Sequence, residues 1–508
     1  MWSSLWSGCV QELEPSLVKV EVDLQSGLPS FQIVGLPDVS VRESRERVRS
    51  ALKNAGFSFP MKRITVNLAP AHVKKEGSSF ELAIALVLLM AGEAWESNIF
   101  QDTLFLGELS LKGELHEIRG VLPLALGARR KKFKRVLVPL GNVKEASMAC
   151  SASDIAVYGI KDLTEAVQFL KKEINLLPAP FEKPLIQKIS HIDFAEVQGQ
   201  RWAKRALEIA AAGGHHLLMI GPPGCGKSML AERLPTILPS LAFEESLEVT
   251  QVYSVGGLLK SDMSLIIERP FRRPHHTVSY SGLIGGGVKQ VMPGEVSLAH
   301  KGVLFLDEIA EFRKDVLEVL REPLEQRKIS ISRARGKVIY PADFMLVAAM
   351  NPCPCGYYKD GSKICTCSEN RIHLYQHKIS GPLLDRIDIH LYLSRVPVKQ
   401  TAEVRESSEK ILDRVLKARE IQKCRYEKRV FKLNAQMMTK DLDTYCAIDD
   451  KSKLFLDDVS IKLGLSLRSY HRILKLSRTI ADLSSAEKIE MSHLAEAIQL
   501  RMLDQKNQ

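Results

Sequence analysis

Long apolar stretches are missing from this sequence. The longest apolar run, residues 82–91, has ten residues, whereas a transmembrane helix needs about 20. We therefore expect a buried core helix at this position and no membrane partner. The first residues also lack the basic segment and the apolar stretch that open a secretory signal, so the expected location is the cytoplasm.

Cysteine is scarce, with nine residues in a chain of 508. A long cytosolic chain is expected to keep its cysteines as free thiols or metal ligands rather than as disulfides. Two C-x-C pairs lie close together, Cys353 with Cys355 and Cys365 with Cys367. Four thiolates in one short loop could close a tetrahedral structural zinc site. Because the spacing is not the more diagnostic C-x-x-C form, free thiols remain the alternative.

Acidic residues are fewer than basic residues. The chain has 60 Asp and Glu against 71 Lys and Arg, which gives a net charge of +11, and its pI is near 9.1. This excess favours a polyanionic partner such as nucleic acid. The hydrophobic content of 45% and the charged content of 26% are ordinary for a globular protein, and the length suggests about three domains.

Composition and periodicity divide the chain into four segments. Residues 1–171 mix short strand-like runs with helices, as an α+β domain does. Residues 172–192 contain three prolines without helical periodicity and are predicted to be a linker. Residues 193–395 are predicted to form an α/β nucleotide-binding core that includes the cysteine loop 353–367, and residues 396–508 a helical lid.

The core segment contains a complete phosphate-binding motif of the form G-x-x-x-x-G-K-[ST], the Walker A motif. It follows the apolar run 217–220 and opens a helix predicted over 229–234. Backbone N–H groups of such a loop cradle phosphates, and the helix N-terminus adds positive potential. Lys227 is expected on the β- and γ-phosphates of ATP and Ser228 on Mg²⁺. The remaining expected nucleotide-binding residues are Gly221, Pro222, Pro223, Gly224, Cys225 and Gly226.

A second motif lies 80 residues after Lys227, where the apolar run 302–306 ends in Asp307 and Glu308. A run this apolar is typical of a strand that is buried on both faces of a parallel sheet. Asp307 is placed to hold Mg²⁺ through water, and Glu308 to orient and deprotonate the attacking water. The two motifs together predict an ATPase that uses ATP and Mg²⁺.

Three further polar residues are candidates for the same site. Asn351 follows another apolar run, 347–350, and polar residues at strand C-termini face the ligand crevice of a doubly wound sheet. Arg386 lies between two aspartates and could act as an arginine finger on a neighbouring subunit's ATP, although a local ion pair is the alternative. Arg468, near a helix start, could reach the phosphates, or it could be a solvated helix arginine.

Two basic segments of the core are candidate DNA contacts. Alternating runs flank a basic, glycine-containing tip and predict a β-hairpin over residues 326–340. Its Arg333, Arg335 and Lys337 would contact the phosphate backbone, which gives affinity without sequence choice. The second segment holds Arg272 and Arg273 ahead of a glycine-rich stretch. The alternative for the hairpin is a solvated basic turn.

The order of these motifs resembles that of an AAA+ ATPase, and in detail the magnesium-chelatase-like branch and its ComM/YifB family of competence proteins. The stretches that carry the resemblance are residues 27–38, 75–78, 271–276, 294–300, 321–325, 380–388 and 466–483. The resemblance implies a homo-hexameric ring that moves on DNA, promotes branch migration and aids strand integration in natural transformation, with recombination proteins as partners. In that family the hairpin points toward the pore of the ring.

The segment Lys75–Ser79 resembles the nucleophile segment of the Lon protease domain, with Ser79 at the position of the serine. The matching downstream region, however, has Leu122 where the lysine base of a Ser–Lys dyad would lie, and without that base the serine is not activated. A Lon-like (ribosomal S5-like) domain without proteolysis is therefore expected. Three other functions remain open: a metal-chelatase motor that acts on a partner protein, an ATP-dependent protease, and a non-motor ATP switch.

Overall fold

The computed structural model describes residues 1–11, 13–93, 95, 100–150, 155–180, 192–259, 265–287, 291–333, 336–360, 363–395, 405–429 and 431–501. The chain forms two compact units. The first consists of Met1–Ile186 and Ala242–Ile267, and the second of Gln187–Leu241 and Glu268–Gln508. Residues 181–191 of the predicted linker lie outside the described residues.

Strands and helices alternate along most of the chain. The elements of its first third are β1 Trp2–Gln11, β2 Glu14–Gln25, β3 Ser30–Val34, α1 Val39–Asn54, β4 Arg63–Ala69, α2 Glu81–Glu93, β5 Thr103–Phe105, β6 Glu108–Leu109, β7 Leu115–His116, α3 Val121–Arg130, β8 Arg135–Pro139, α4 Val143–Cys150, β9 Ala156–Ile160 and α5 Leu163–Leu170. The middle of the chain contains α6 Arg201–Gly213, β10 Leu217–Ile220, α7 Lys227–Arg233, α8 Phe243–Val255, β11 Phe271–Arg272, α9 Tyr280–Ile284, β12 Gly285–Gly286, β13 Met292–Pro293, α10 Glu295–Leu298, β14 Val303–Leu306, α11 Lys314–Glu318, α12 Arg321–Gln326, β15 Lys328–Arg333, β16 Gly336–Pro341, β17 Met345–Met350, α13 Glu369–Gln376, α14 Gly381–Leu384 and β18 Ile389–Tyr392. The last third is helical, with α15 Ser408–Arg425, α16 Thr439–Tyr445, α17 Asp450–Lys462, α18 Leu467–Leu483 and α19 Met491–Gln499.

A seven-stranded mixed sheet organises the first unit, in the order β3-β4-β2-β1-β5-β8-β9. β1 and β2 form a long antiparallel hairpin, whereas β5, β8 and β9 pair in parallel. Helix α2 is the centre of the core on one face of this sheet, and every residue of the apolar run 82–91 is buried. The predicted core helix is confirmed.

The first unit also contains a segment from the middle of the chain. On sequence alone, residues 242–267 fall in the predicted nucleotide-binding core, but in the structure they pack with residues 1–186. Helix α8 makes two of the contacts: Gln251 Nε2 donates to the carbonyl oxygen of Leu13 at 2.6 Å, and Ser254 Oγ donates to the carboxylate of Glu145.

A five-stranded, fully parallel sheet organises the second unit, in the order β11-β14-β17-β10-β18. The strands β10, β14 and β17 are buried along their whole length, as strands of a sheet covered on both faces are. The apolar run 302–306, which the sequence assigns to a buried strand, is thus confirmed as β14, and the apolar runs 217–220 and 347–350 lie in β10 and β17. Because the strands are parallel, the loops after β10, β14 and β17 emerge at one edge of the sheet.

The C-terminal helices complete the second unit. Helix α18 packs against α6, α15 and α19, and its buried face includes Ile473, Leu476 and Ile480. This confirms the prediction of a helical C-terminal segment. Among the described residues, no helix is long and apolar enough to cross a membrane.

Candidate functional site

The loop between β10 and α7 has the backbone that the Walker A motif requires. Gly224 and Gly226 adopt positive φ angles of 78° and 93°, which glycine tolerates at little cost. A Cβ atom at Gly221 would lie 2.7 Å from the carbonyl oxygen of Leu393, so this position also requires glycine. Helix α7 begins at Lys227, which gives the loop a helix N-terminus suited to phosphate.

Lys227 and Asn351 meet at the edge of the sheet. Lys227 Nζ lies 3.1 Å from Asn351 Oδ1 and donates to the carbonyl oxygens of Gly221 at 2.6 Å and Pro222 at 3.0 Å. Burial lowers the pKa of the Lys227 amine. Two residues that the sequence predicted separately, one after β10 and one after β17, are therefore in direct contact.

Ser228 and Asp307 form a second pair beside the first. Ser228 Oγ donates to Asp307 Oδ2 at 2.9 Å, which joins the start of α7 to the end of β14. Mg²⁺ prefers hydroxyl, carboxylate and water oxygens as ligands, and this pair supplies the first two kinds. The residues present therefore fit the magnesium ion that the Walker motifs predict.

Glu308 has an unusual backbone conformation. Its φ is 50°, in the left-handed region where residues other than glycine are strained, and such strain concentrates at functional sites. Its side chain is 58% exposed and lies 4.0 Å from His276 Nδ1. The carboxylate is thus open to solvent beside Asp307.

Arg272 and Arg273, predicted as DNA contacts, both have carboxylate partners. Arg272 makes a bidentate pair with Glu295, at 2.6 and 2.7 Å. Arg273 donates to Asp307 at 2.6 Å and to Glu232 at 2.7 Å. The structure therefore places Arg273 at the predicted magnesium ligand, a position that the sequence pattern did not indicate.

Arg386 and Arg468 meet at Glu325, at the end of α12. The guanidinium of Arg386 is only 8% exposed, pairs with Glu325 and donates to the carbonyl oxygen of Pro382 at 2.5 Å. Arg468 is about half exposed and its Nη2 lies 3.3 Å from Glu325 Oε1. Within the described residues, Arg386 Nε has no hydrogen-bond partner. Sequence reasoning missed Glu325, because its two arginine partners are distant in the chain.

Arg472, one turn after Arg468, has a different environment. It pairs with Asp388, whose second oxygen accepts from the backbone N–H of His216 at 3.2 Å. Burial of Asp388 opposes its ionisation, but Arg472 and His215 nevertheless hold the pKa of the carboxyl well below its usual range. The contact ties α18 to the start of β18, which indicates a structural ion pair.

The predicted basic hairpin is confirmed as β15 and β16, whose register runs from Lys328 opposite Pro341 to Arg333 opposite Gly336. Tyr340 anchors it, fully buried and donating to the carbonyl oxygen of Val291 at 2.6 Å. Lys337 is exposed, whereas Arg335 and the side chain of Arg333 lie outside the described residues. The hairpin leads within four residues into β17, the strand that Asn351 follows.

The four cysteines of the C-x-C pairs come together. Their Sγ atoms all lie within 4.8 Å of one another, and three of the separations are 3.3, 3.6 and 3.7 Å. Four sulfurs at about 2.3 Å from a tetrahedral zinc ion would be about 3.8 Å apart, whereas disulfide-bonded sulfurs are about 2.0 Å apart. Backbone N–H groups, first that of Tyr357, lower the pKa of the Cys355 thiol to about 6. The cluster could hold a metal ion.

The cysteine loop lies against the Walker A loop. A Cβ atom at Gly356, which has a φ of 84°, would lie 2.7 Å from Pro223 Cδ. On the other side, Gln376 of α13 donates to the carbonyl oxygen of Pro352 at 2.9 Å. A metal ion in the cluster would therefore brace the segment that follows Asn351.

Ser79 in the first unit is not arranged as a nucleophile. It is buried, and its hydroxyl donates to the carbonyl oxygen of Gly8 at 2.6 Å. Leu122, at the position where a lysine base would be needed, is fully buried among apolar residues. Lys75 is also fully buried, and its amine contacts the carbonyl oxygen of Pro70.

Family models and full-length relatives both match the chain. The models described as "Magnesium chelatase, subunit ChlI", "Subunit ChlI of Mg-chelatase" and "Magnesium chelatase, subunit ChlI C-terminal" match residues 193–401, 20–142 and 405–501. The chain is 42% identical to "Competence protein ComM" of Haemophilus influenzae, over 98% of the chain and 97% of that protein. It is 40% identical to "Uncharacterized protein YifB" of Escherichia coli, over 96% and 94%, and 28% identical to "Magnesium-chelatase 67 kDa subunit" of Chlorobaculum parvum, over 32% and 23%. The chain therefore belongs to the ComM/YifB family of magnesium-chelatase-like AAA+ proteins.

Proposed function

We propose that this protein is a DNA-dependent ATPase that assembles into a homo-hexameric ring, moves on DNA and drives branch migration. In the cell it would aid strand integration in natural transformation and recombination, in the cytoplasm and alongside recombination proteins. The observation that carries the proposal is the basic hairpin β15–β16, which leads through a short connection into β17, the strand that Asn351 follows. One short connection thus joins a cationic projection to the ATP site. The competence protein among the relatives gives further support.

The residues of the second unit divide the work of ATP hydrolysis. Mg²⁺ supplies charge neutralisation on the phosphates when it is bound by Ser228 and Asp307. Lys227 binds the β- and γ-phosphates with the backbone N–H groups of the Walker A loop. Glu308 takes the proton of the attacking water, which Asn351 helps to orient.

The two arginines at Glu325 complete this arrangement in a ring. Arg386 acts on the ATP of a neighbouring copy, and Arg468 on the ATP of its own chain. Each must exchange the Glu325 carboxylate for phosphate oxygens, which suit the planar guanidinium fork equally well. Hydrolysis then becomes sensitive to whether the neighbouring copy is in place.

We further propose that the cysteine quartet holds a structural zinc ion. Support comes from the Sγ separations, which match a tetrahedral thiolate site, and from the contact of the loop with Pro223. The ion would stabilise the loop after Asn351 and take no part in the chemistry.

Residues 1–171, within the first unit, are proposed to form a Lon-like domain without protease activity. The internal hydrogen bond of Ser79 and the buried Leu122 argue against a Ser–Lys dyad. Casein degradation that depends on Ser79 would contradict this assignment.

ATP turnover, measured with and without four-way-junction DNA, tests the main proposal. We expect strong stimulation by the junction, and its loss in Glu308→Gln, which should still bind ATP. If wild-type protein hydrolyses ATP at the same rate with and without every DNA tested, and Glu308→Gln is inactive, the protein is an ATPase but the proposed DNA motor is wrong. Junction binding that depends on nucleotide but moves no strand would identify a non-motor switch instead.

A second function, a protein-remodelling ATPase like the magnesium chelatases, is favoured by one observation. The three magnesium chelatase models match segments of both units, not the nucleotide-binding core alone. In that case a protein partner, and not DNA, would stimulate turnover. Neutralising Arg333, Arg335 and Lys337 separates the two functions, because a DNA motor would lose affinity for DNA and show a flatter salt dependence. An unchanged salt dependence would show that the hairpin does not contact DNA.

A further inference from the structure

The first unit also contains a strongly basic segment, none of whose residues is assigned a role above. Six of the seven residues 129–135 are Arg or Lys, and Phe133 is the exception. This segment, the basic turn, connects the end of α3 to the start of β8. Arg130, Lys131, Lys132 and Lys134 are exposed.

The backbone of the basic turn is held in one conformation. The N–H groups of Lys131, Lys132 and Phe133 donate to carbonyl oxygens in the last turns of α3, at 3.1, 3.0 and 3.0 Å. The side chain of Phe133 is buried and contacts the ring of Trp6, with centroids 5.9 Å apart. At the other end, Lys134 and Arg135 donate to the carbonyl oxygen of Asp102, at 2.9 and 3.2 Å. The cations therefore project from a fixed support.

Lys132 occupies a position that favours glycine. Its φ is 58°, in the left-handed region just past the end of α3, where helices commonly place glycine because it has no Cβ. A lysine there costs conformational stability that glycine would not. Backbone strain is found more often at functional sites than elsewhere, so this position is a candidate for a role beyond folding.

The charges of Arg130, Lys131 and Lys134 are poorly compensated. Arg130 lies 3.6 Å from Glu14 and Lys134 lies 3.5 Å from Asp102, and in each pair both side chains are more than half exposed. Such pairs are weak and are screened by salt. Lys131 lies over the ring of Trp6, 4.2 Å from its centroid, a contact that orients the ammonium group without neutralising it.

A favourable interaction with the helix dipole explains only part of this pattern. Cations near a helix C-terminus are stabilised by the dipole, which accounts for Arg129, Arg130 and Lys131. The effect fades within one turn and gives no reason for Lys134, which comes just before β8. Membrane insertion does not explain the pattern either, because Phe133, the apolar residue of the turn, is buried and cannot enter a bilayer.

We propose that the basic turn binds the phosphate backbone of DNA and gives the first unit its own DNA contact. This inference rests on the proposed function, and it assigns a role to a domain that the ATP site does not use. Arg and Lys side chains on a fixed turn contact phosphates without reading bases, so the contact is independent of sequence. It adds to affinity and to salt dependence rather than to ATP turnover.

The test compares two triple variants of the full-length protein. The first, Lys131→Gln with Lys132→Gln and Lys134→Gln, neutralises the basic turn. The control, Lys53→Gln with Lys62→Gln and Lys112→Gln, makes the same change in charge at exposed lysines elsewhere in the first unit. Duplex affinity is measured at several salt concentrations. Because each phosphate contact contributes about 0.9 to the slope of log K against log[salt], we expect the first variant to lose about two to three units and the control almost none. DNA-free ATP turnover should stay at the wild-type value in both.

A single-residue variant distinguishes loss of a DNA contact from loss of folding. Lys132→Gly removes one cation and relieves the positive φ, so we expect a higher melting temperature together with weaker DNA binding and a slope lower by about one. A purely structural role for Lys132 would not raise stability while lowering DNA affinity.

Each remaining outcome has a definite meaning. If wild-type protein binds DNA and the slope of the first triple variant is unchanged, the inference is wrong and the proposed function stands. Equal losses in both triple variants would also overturn it, because net charge alone would then explain the effect. Wild-type protein that binds no DNA at any salt would remove the proposed function itself. Binding to anionic phospholipid vesicles that depends on the basic turn, with an unchanged DNA slope, would assign the surface to a membrane instead.

Discussion

Arg386 and Arg468 share one carboxylate oxygen, Oε1 of Glu325. Arg386 is almost fully buried, and burial lowers the pKa of its guanidinium, which the negative charge of Glu325 counteracts. The two residues come from distant parts of the chain, one just before β18 and one in α18. Glu325 lies in α12, three residues before the basic hairpin begins.

Replacing Glu325 with glutamine should tighten ATP binding. The carboxylate competes with phosphate for the guanidinium groups, and glutamine removes its charge while keeping its shape. A partly exposed ion pair of this kind is worth up to about 1 kcal/mol, so we expect the Kd for ATP to fall by about two- to fivefold. Titration with a fluorescent ATP analogue measures it, under conditions in which the ring is assembled.

Glu322→Gln is the matched control for this variant, since it changes the same charge on the same helix. It should leave the Kd for ATP unchanged. An equal effect in both variants would indicate a general electrostatic change rather than release of Arg386 and Arg468. Weaker ATP binding in Glu325→Gln alone would mean that Glu325 holds the arginines in position for ATP instead of away from it.

Arg273→Ala should alter the dependence of ATP turnover on Mg²⁺. The guanidinium of Arg273 lies on Asp307 Oδ2, the oxygen that also accepts from Ser228. A cation at that oxygen competes with Mg²⁺, so its removal should lower the half-saturating Mg²⁺ concentration by about twofold or more. Arg272→Ala, which breaks the pair with Glu295, should not. Loss of DNA affinity in Arg273→Ala at an unchanged Mg²⁺ dependence would support the DNA contact that the sequence predicted.

Parts of the site could be predicted from sequence because each was encoded locally. The Walker A glycines, Asp307 and Asn351 each follow an apolar run, and parallel strands bring such ends to one edge. Glu325 could not be found in this way, since its partners are 61 and 143 residues distant. Pairings of that range depend on how α12 and α18 pack, which no local pattern records.

Two features of the first unit were missed for other reasons. Strand β1 is rich in serine, and Ser3, Ser4 and Ser7 are buried in the structure. Because serine is usually exposed, the sequence of this segment did not indicate a buried strand. The segment 242–267 was assigned by its place in the sequence, whereas its packing depends on polar contacts such as that of Ser254 with Glu145. Burial of polar residues is decided by their partners, and these are distant in sequence.

Zinc should be present at about one ion per chain and should be lost in Cys353→Ser. Cys353 is fully buried within the quartet, so serine leaves three thiolates, too few for a closed structural site. Metal content by mass spectrometry should fall to near zero, and the melting temperature should fall by several degrees because metal binding contributes to folding. Cys424→Ser, at an exposed thiol outside the cluster, is the control. If wild-type protein is purified without metal and has the same melting temperature as Cys353→Ser, the four cysteines are free thiols and the zinc proposal is wrong.

Glu145→Gln should stabilise the first unit at alkaline pH. Burial raises the pKa of the Glu145 carboxyl, and the nearby Glu117 raises it further, whereas hydrogen bonds from Ser254, Leu122 and Asn142 lower it only in part. The folded state therefore holds the proton more tightly than the unfolded state does. The free energy of unfolding is then highest below the ordinary pKa of glutamate and falls as pH rises through the higher, folded-state value.

Glutamine keeps an acceptor for the Leu122 N–H, which lies 2.9 Å from the carboxylate, and has no proton to lose. The melting temperatures of wild-type protein and Glu145→Gln should therefore coincide near pH 4 and separate progressively toward pH 8, with the variant higher by a few degrees. Other titrating groups are common to both proteins and cancel in the difference. Glu165→Gln, at a carboxylate that accepts from the backbone of Lys161 in an exposed position, makes the same substitution in the same unit and is the matched control. If wild-type protein were instead the more stable at pH 8, the ionised Glu145 carboxylate would be holding α8 through Ser254.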